Sequence, residues 1–187
     1  YNGFTMTDKI IAQTEPKPFL TIKCKNVKGI QNYFYAERLG KDSVAFILYD
    51  GGKSGVANKG KKFGLINEYK PPVDEFILTA FGGSIDRPIK DLREIVVGEV
   101  REEAGYKIDF SHIYPCGKHF VSTQMNQYCH LYLVDVTGLD VWDRSPENEI
   151  EKMANVQWLS AMEIMNGEDW KAKVILLAET NNLFEGK

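Results

Sequence analysis

The chain has 187 residues, of which 43% are apolar and 12% aromatic, and its formal net charge is -3. This length and apolar content allow one substantial hydrophobic core, so a single domain is expected. The negative charge, with a pI of about 5.7, argues against general binding to nucleic acid polymers or to anionic membranes, since both favour cationic surfaces.

The cysteines and the apolar runs bear on the cellular compartment. Cys24, Cys116 and Cys129 are far apart and have no paired CxxC spacing, so neither a disulfide framework nor a zinc site is indicated. No apolar run reaches the roughly 18 to 20 residues that span a bilayer, and the N-terminus lacks the pattern of a signal peptide. A cytoplasmic protein is the simplest interpretation.

Short segments rich in β-branched and aromatic residues recur in the first two thirds of the chain. They predict strands at residues 19–25, 32–36, 43–49, 62–68 and 75–81. In the segment 43–49 apolar residues occupy consecutive positions, which is typical of a strand covered on both faces. Residues 1–18 are predicted to be a tail.

The clearest helix signal begins at Asp91, where Glu94 follows at the spacing of a capping box, and it ends at Gly105. The predicted helix spans residues 92–104. Strands are predicted at 128–136 and 155–159, followed by a second capping box at Ser160 and Glu163. A final amphipathic helix is predicted at 170–183, which gives a mixed sheet with flanking helices.

The helix 92–104 has an unusual distribution of charge. Ile95 and Val96 mark its inward face, and at 100° per residue Glu99 and Glu103 fall in the same sector, with Glu102 at its edge. Burying ionised carboxylates costs several kcal/mol each unless cations or donors compensate. A hard divalent cation such as Mg²⁺ or Mn²⁺ would compensate. The alternative is an acidic helix end in solvent.

The residues around this helix resemble the Nudix box, which is a glycine, five residues, a glutamate, seven residues, and then Arg-Glu-U-x-Glu-Glu-x-Gly-U, where U is apolar. The matching positions, with one extra residue in the first interval, are Gly83, Glu99, Val100, Glu102, Glu103, Gly105 and Tyr106. Two positions depart from the motif, because Gly98 replaces its arginine and Lys90 its first glutamate. The arginine of the family orients the catalytic glutamates, and Arg101 projects to the opposite side from Glu103.

The resemblance extends over about residues 42–160 and is closest to the ADP-ribose and nucleoside-diphosphate-sugar pyrophosphatases. The segments that carry it are 42–45, 67–72 and 82–88. It implies an α+β fold, the Nudix-type α/β/α sandwich with a mixed β-sheet and an N-terminal β-hairpin extension, in one hydrolase domain, 19–187. The strands in 19–41 would help to form a homodimer. Lys70 stands where many members have arginine, and Thr79 where many have glutamate.

The resemblance also implies site residues and an activity. Glu99, Glu102 and Glu103, with the carbonyl of Gly83, would bind Mg²⁺ or Mn²⁺, while Gly82, Gly83 and Lys70 would contact a nucleoside diphosphate substrate. Glu149, or secondly Glu147, in the acidic segment 146–151 would be the general base, although a solvated loop is an equal alternative. The expected reaction is hydrolysis of ADP-ribose or a related sugar nucleotide to a nucleoside monophosphate and a sugar phosphate.

Two alternatives remain open at this point. The enzyme could instead act on a dinucleotide coenzyme or a nucleoside triphosphate. The departures at Gly98 and Lys90 also allow a catalytically silent module that binds a nucleotide or a protein.

Overall fold

The computed structural model describes residues 8–27, 30–52 and 60–181. The strands in these ranges are β1 (Lys9–Gln13), β2 (Leu20–Val27), β3 (Ile30–Arg38), β4 (Ser43–Asp50), β5 (Lys62–Lys70), β6 (Glu75–Thr79), β7 (Phe81–Ser84), β8 (Ile113–Phe120), β9 (Tyr128–Asp135) and β10 (Asn155–Leu159). The α-helices are α1 (Arg93–Glu99), α2 (Glu149–Met153), α3 (Ala161–Asn166) and α4 (Trp170–Thr180). No helix in the described part of the chain is long and apolar enough to cross a membrane.

Seven strands form the main sheet in the order β10-β5-β4-β9-β8, with β6 paired to β5 and β7 paired to β4. The pair β4 and β9 is parallel, whereas the other pairs are antiparallel, so the sheet is mixed as predicted. The sheet therefore places β4 next to three strands, at the centre of the molecule.

Strand β4 is buried on both faces, as its consecutive apolar residues predict. Phe46 belongs to the cluster that contains Val96 of α1, whereas Ile47 belongs to the cluster that contains Ile175 of α4. Successive side chains of a strand point to opposite faces, so the two clusters lie on opposite sides of the sheet. The two helical layers give the α/β/α sandwich expected from the resemblance.

A second, three-stranded sheet of order β1-β2-β3 precedes the main sheet. The predicted hairpin corresponds to β2 and β3, while β1 lies within the segment predicted as a tail. The backbone of Ala36 attaches this sheet to the body, since its N–H donates to the carbonyl of Gln124 (2.7 Å) and its carbonyl accepts from Asn126 (3.3 Å). The N-terminal extension is thus a sheet of three strands fixed against the loop before β9.

Other predicted elements need correction. The predicted strand 75–81 is two strands, because β6 pairs with β5 whereas β7 pairs with β4. Strand β8 escapes prediction because it contains Pro115 and Gly117, which lie at a register shift in its pairing with β9. The final helix ends at Thr180, and residues 182–183 of its predicted range lie outside the described part.

Candidate active site

The carboxylate-bearing helix consists of α1 and a π-helical turn, Val100–Ala104. The regular helix predicted for 92–104 is therefore corrected at its C-terminal end, where the N–H of Gly105 donates to the carbonyl of Val100, five residues earlier, and to that of Arg101 at 3.2 Å. Gly105 ends the helix in the left-handed region, at φ +77°, which glycine adopts without steric cost. Such π-turns occur frequently at functional sites.

The predicted capping box at the start of α1 is also corrected. The carboxylate of Asp91 accepts from the backbone N–H of Arg93 (3.0 Å) and from its guanidinium group (2.6 Å), and the N-cap residue Leu92 makes no side-chain cap bond. Arg93 keeps the pKa of Asp91 below its ordinary value through this hydrogen bonding. The Ser160 and Glu163 capping box of α3 is present as predicted.

The three predicted glutamates do lie together on the inward side of this helix. Glu103 is only 7% exposed, and its Oε2 atom has no hydrogen-bond partner in the structure. Burial, followed by the charge of Glu99, raises its pKa to about 8. Burial, followed by the charge of Glu102, raises the pKa of Glu99 to about 7. These carboxylates therefore favour protonation or a nearby cation.

Gly83 lies in β7, and its backbone packs directly against the side chain of Glu99. A Cβ atom at position 83 would overlap the side chain of Glu99, whereas one on Gly82 would contact the carbonyl of Val44 at 3.3 Å. Glycine at position 83 is thus required for the close approach of β7 and α1. Gly98 differs from both, because a Cβ there would meet only Glu102 Oε1, at 4.0 Å.

Strand β5 adds an ion pair to the site. Lys70 Nζ lies 2.5 Å from Glu68 Oε2, and the two residues are two positions apart, so they share one face of the strand. Glu68 raises the pKa of Glu103, and Lys70 lowers it. Lys70 lines the cavity described below, and Glu68 neutralises part of its charge. Glu68 and Lys70 are two positions apart in a predicted strand, and this spacing is the sequence signal that would have placed Glu68 beside Lys70.

The acidic segment 146–151 separates its three glutamates into different environments. Glu149 begins α2, its side chain is 85% exposed, and its Oε1 pairs with Lys152 at 2.5 Å. Glu151 lies within the same helix, and its carboxylate accepts from the N–H of Glu147 (2.6 Å) and from the side chain of Asn148 (2.5 Å). Glu147 and Glu151 line the site and raise the pKa values of Glu99 and Glu102. Glu149 is not brought to the site.

These side chains surround one cavity of about 890 Å³. Its acidic lining residues are Glu68, Asp86, Glu94, Glu99, Glu102, Glu103, Glu147 and Glu151. Its lining also includes Phe19, Val121, Gln127, Cys129, Trp170 and Lys171. Arg38 reaches the cavity from β3 and donates to Ser84 Oγ at 3.0 Å. Sequence patterns gave no signal for Arg38, because this contact joins residues from two separate sheets.

The carboxylates that line the cavity offer the kind of ligands that a divalent metal takes. Its donors are carboxylate oxygens, which Mg²⁺ and Mn²⁺ prefer, and the unpaired Oε2 of Glu103 is a buried acceptor that a cation would satisfy. In the described ranges, no three His, Cys, Asp or Glu side chains are already gathered as a metal cluster. Mg²⁺ does not need such a cluster, because it commonly retains water and takes oxygens from a bound phosphate. The residues fit this cation.

The layers, the mixed sheet and the carboxylate helix at its face define a Nudix-type α+β fold. The crystal structure of an ADP compounds hydrolase has a similar fold, with a TM-score of 0.66 and 15% sequence identity over 96% of this chain and 93% of that chain. No family model matches the sequence, and no curated protein matches it. At this level of identity the likeness shows the fold.

Proposed function

We propose that the protein is a metal-dependent hydrolase that cleaves the diphosphate linkage of ADP-ribose or a related nucleoside diphosphate sugar. The observation that carries this proposal is the buried Glu103, which lines a cavity together with further glutamates and whose Oε2 atom has no hydrogen-bond partner. A buried carboxylate without a donor is costly unless the site binds a cation. The fold shared with an ADP compounds hydrolase supports a nucleotide derivative as substrate.

A divalent cation bound by the carboxylates of the cavity would neutralise the charge of the diphosphate and lower the pKa of a bound water. Glu99 and Glu103 would supply its oxygen ligands, with Glu102 and the carbonyl of Gly83 beside them. Gly82 and Gly83 leave the backbone uncovered, so phosphate oxygens can approach it closely. Lys70 would donate to a phosphate oxygen and act as a point charge. Its contact with Glu68 would then be partly lost.

Glu147 is the best placed of the acidic-segment residues to accept the proton of the attacking water. Its backbone N–H is fixed by Glu151, while its own carboxylate lines the cavity. The carboxylate of Glu151 accepts two hydrogen bonds, from Glu147 and Asn148, and Glu149 pairs with Lys152 outside the cavity. As the water oxygen bonds to phosphorus, its proton passes to Glu147 and the bridging oxygen leaves with the other phosphate.

Trp170 would hold the nucleoside. It lines the cavity and is 40% exposed, and an indole ring offers a flat apolar surface on which a base can stack. Lys171 and Gln127 also line the cavity and carry hydrogen-bond donors. In this arrangement the diphosphate would contact the carboxylate helix and β7, and the base would contact the start of α4.

The test is release of AMP or UMP from ADP-ribose, ADP-glucose, UDP-glucose, NADH, a dinucleoside polyphosphate and a nucleoside triphosphate. Each would be assayed with Mg²⁺, with Mn²⁺ and with excess EDTA. We expect metal-dependent cleavage with ADP-ribose or a sugar nucleotide as the best substrate. Preference for NADH or a triphosphate would instead select the alternative enzyme for another nucleotide.

Glu103→Gln tests the assigned carboxylate, because it keeps the shape of the side chain and removes its charge. We expect metal-dependent turnover to fall by at least about 100-fold while the far-ultraviolet circular dichroism stays unchanged. Asp140→Asn, which removes an exposed charge outside the cavity, is the matched control. Turnover of wild-type magnitude in Glu103→Gln would refute the assignment.

A catalytically silent nucleotide-binding module is the second candidate. Gly98 in place of the arginine of the motif, and the pairing of Lys70 with Glu68, favour it. The outcome that selects it is calorimetric binding of ADP-ribose by the folded protein without cleavage on any member of the panel.

A further inference from the structure

Arg144 connects two elements that carry glutamates of the site. Its Nη1 donates to the carbonyl of Ala154 at 2.5 Å and its Nη2 to the carbonyl of Glu151 at 2.9 Å. Both carbonyls lie at the C-terminal end of α2, where that of Glu151 also accepts from the N–H of Ala154 (3.1 Å) and that of Ala154 lies beyond the last helical residue, Met153. A cation at a helix C-terminus is also favoured by the helix dipole. Arg144 therefore holds the end of α2.

The segment that carries Arg144 is fixed to the carboxylate helix as well. On one side of Arg144, the N–H of Trp142 donates to the carbonyl of Gly105 at 2.8 Å. On the other side, the N–H of Ser145 donates to the carbonyl of Glu102 at 3.2 Å. The Cγ of Arg144 packs 3.5 Å from the place that a Cβ on Gly105 would take. Arg144 thus lies between the end of the π-turn and the end of α2.

Along the chain, Glu147 lies between Ser145, which is bonded to the carboxylate helix, and the end of α2, which is bonded to Arg144. It follows Ser145 by two residues, and its N–H is held by the carboxylate of Glu151, whose carbonyl Arg144 holds. We propose that Arg144 is a positioning residue that keeps the carboxylate of Glu147 over Glu99 and Glu102. This inference rests on the proposed function, in which Glu147 accepts the proton.

Removal of Arg144 should displace Glu147 without removing any group that touches the substrate. We expect Arg144→Met to lower kcat by about 100-fold, the effect of a displacement of roughly 1 Å at a reacting group. KM should stay within about threefold, because the proposed diphosphate contacts of Lys70, Gly82 and Gly83 lie on β5 and β7 and not on this loop. Arg144→Lys should recover part of the loss, since an ammonium group can still donate to a carbonyl.

Two comparisons separate positioning from a general loss of structure. In Arg144→Met/Glu147→Gln, kcat should be no lower than in Glu147→Gln alone, because Arg144 acts through that carboxylate. Lys152→Met removes an exposed cation from α2 itself and should leave kcat unchanged. Additive losses in the double variant, or an unchanged kcat in Arg144→Met, would overturn the proposal.

Hydrogen exchange tests the inference without using turnover. In Arg144→Met, amides in 147–153 should exchange faster, while those of 44–48 in β4 keep their wild-type rates. Faster exchange in both segments would indicate a merely structural role and would also overturn the proposal. If the wild-type protein cleaves no substrate, the proposed function fails, whereas the exchange result still shows whether Arg144 holds this loop.

Discussion

Individual glutamates of the site differ because their surroundings differ, although they follow one another closely along the chain. Glu103 is buried and Glu102 is only partly exposed, whereas Arg101 beside them is exposed. Helical periodicity predicted this arrangement from the sequence, since an inward sector can be calculated from residue numbers. The pKa values could not be predicted in the same way, because they depend on burial and on charges from β5 and the acidic segment.

The raised pKa values of Glu99 and Glu103 predict a dependence of stability on pH. Both lie above the ordinary value of 4.5, at about 7 and about 8, so the folded state holds these protons more tightly than the unfolded state. Their contribution is complete below pH 4.5 and is lost as the pH rises through 7 and 8. In EDTA, Tm should therefore fall across this window less steeply in Glu103→Gln than in the wild type.

Thermal unfolding at a series of pH values measures this difference, and Asp140→Asn serves as the control. Mg²⁺ should raise Tm most at the alkaline end of the window, where the carboxylates are already ionised. Equal slopes for Glu103→Gln and the wild type would show that Glu103 titrates normally.

Two glycines of the site should respond in opposite ways to alanine. Gly98→Ala should increase the free energy of unfolding by about 0.5 to 1 kcal/mol, because position 98 is helical and open. Gly83→Ala should instead displace the carboxylate of Glu99, which occupies the space of the new methyl group.

Urea denaturation measures the first effect, and metal-dependent turnover measures the second. We expect Gly83→Ala to lose most of its turnover and Gly98→Ala to keep it. A destabilised Gly98→Ala protein would mean that the open space at this position is filled in solution.

At the scale of elements, the acidic segment shows where sequence patterns are insufficient. It was predicted as a polar loop with Glu149 as its preferred base, whereas α2 forms there with Asn148 as its N-cap and Glu151 at the third helical position. The spacing of Asn148 and Glu151 is itself a capping signal. Which glutamate faces the cavity depends on this short helix and on Arg144, so the choice of Glu147 needed the structure.

The contact between β6 and α4 supports a prediction at Thr79. Its hydroxyl donates to Asp169 Oδ2 at 2.5 Å, and Asp169 also caps α4 by accepting from the N–H of Ala172 at 2.7 Å. Thr79→Val keeps the shape but removes the hydrogen-bond donor of a nearly buried carboxylate oxygen, whose remaining partner is Lys171 Nζ at 3.8 Å. The free energy of unfolding should fall by about 1 to 3 kcal/mol.

Urea denaturation of Thr79→Val measures this loss. Thr123→Val, at an exposed position, is the matched control and should change stability little. Thr79→Glu should be less stable than Thr79→Val, because it sets a second carboxylate against Asp169. If Thr79→Glu is the more stable of the two, Asp169 does not depend on this hydroxyl.

For the whole molecule, local patterns predicted the sandwich because most strands and helices carry their own periodicity and boundaries. The segment 155–159 matches β10 at both ends, and the consecutive apolar residues of β4 indicate its two buried faces. The sequence patterns did not predict elements that become strands only through pairing with another strand. Strand β1 has five exposed residues, so no alternation distinguishes it from a tail, and only its pairing with β2 makes it a strand.

The exposed apolar residues of the N-terminal sheet support a prediction about the oligomeric state of the protein. Ile10, Ile11, Ile30 and Phe34 each expose roughly half of their surface on this small sheet. Such a concentration of apolar surface is more informative than single exposed residues, because it is typical of interaction sites. We therefore expect a homodimer formed through this sheet.

Light scattering after gel filtration should give about twice the chain mass of 21.3 kDa. Phe34→Glu should shift the protein towards the monomer, since a charge cannot be buried at an apolar interface without a partner. Met162→Glu, which changes a 70% exposed residue on α3, should leave the mass unchanged. A wild-type monomer at micromolar concentration would contradict the dimer. It would also mean that one chain alone completes the cavity, since Arg38 of β3 and Phe19, just before β2, already line it.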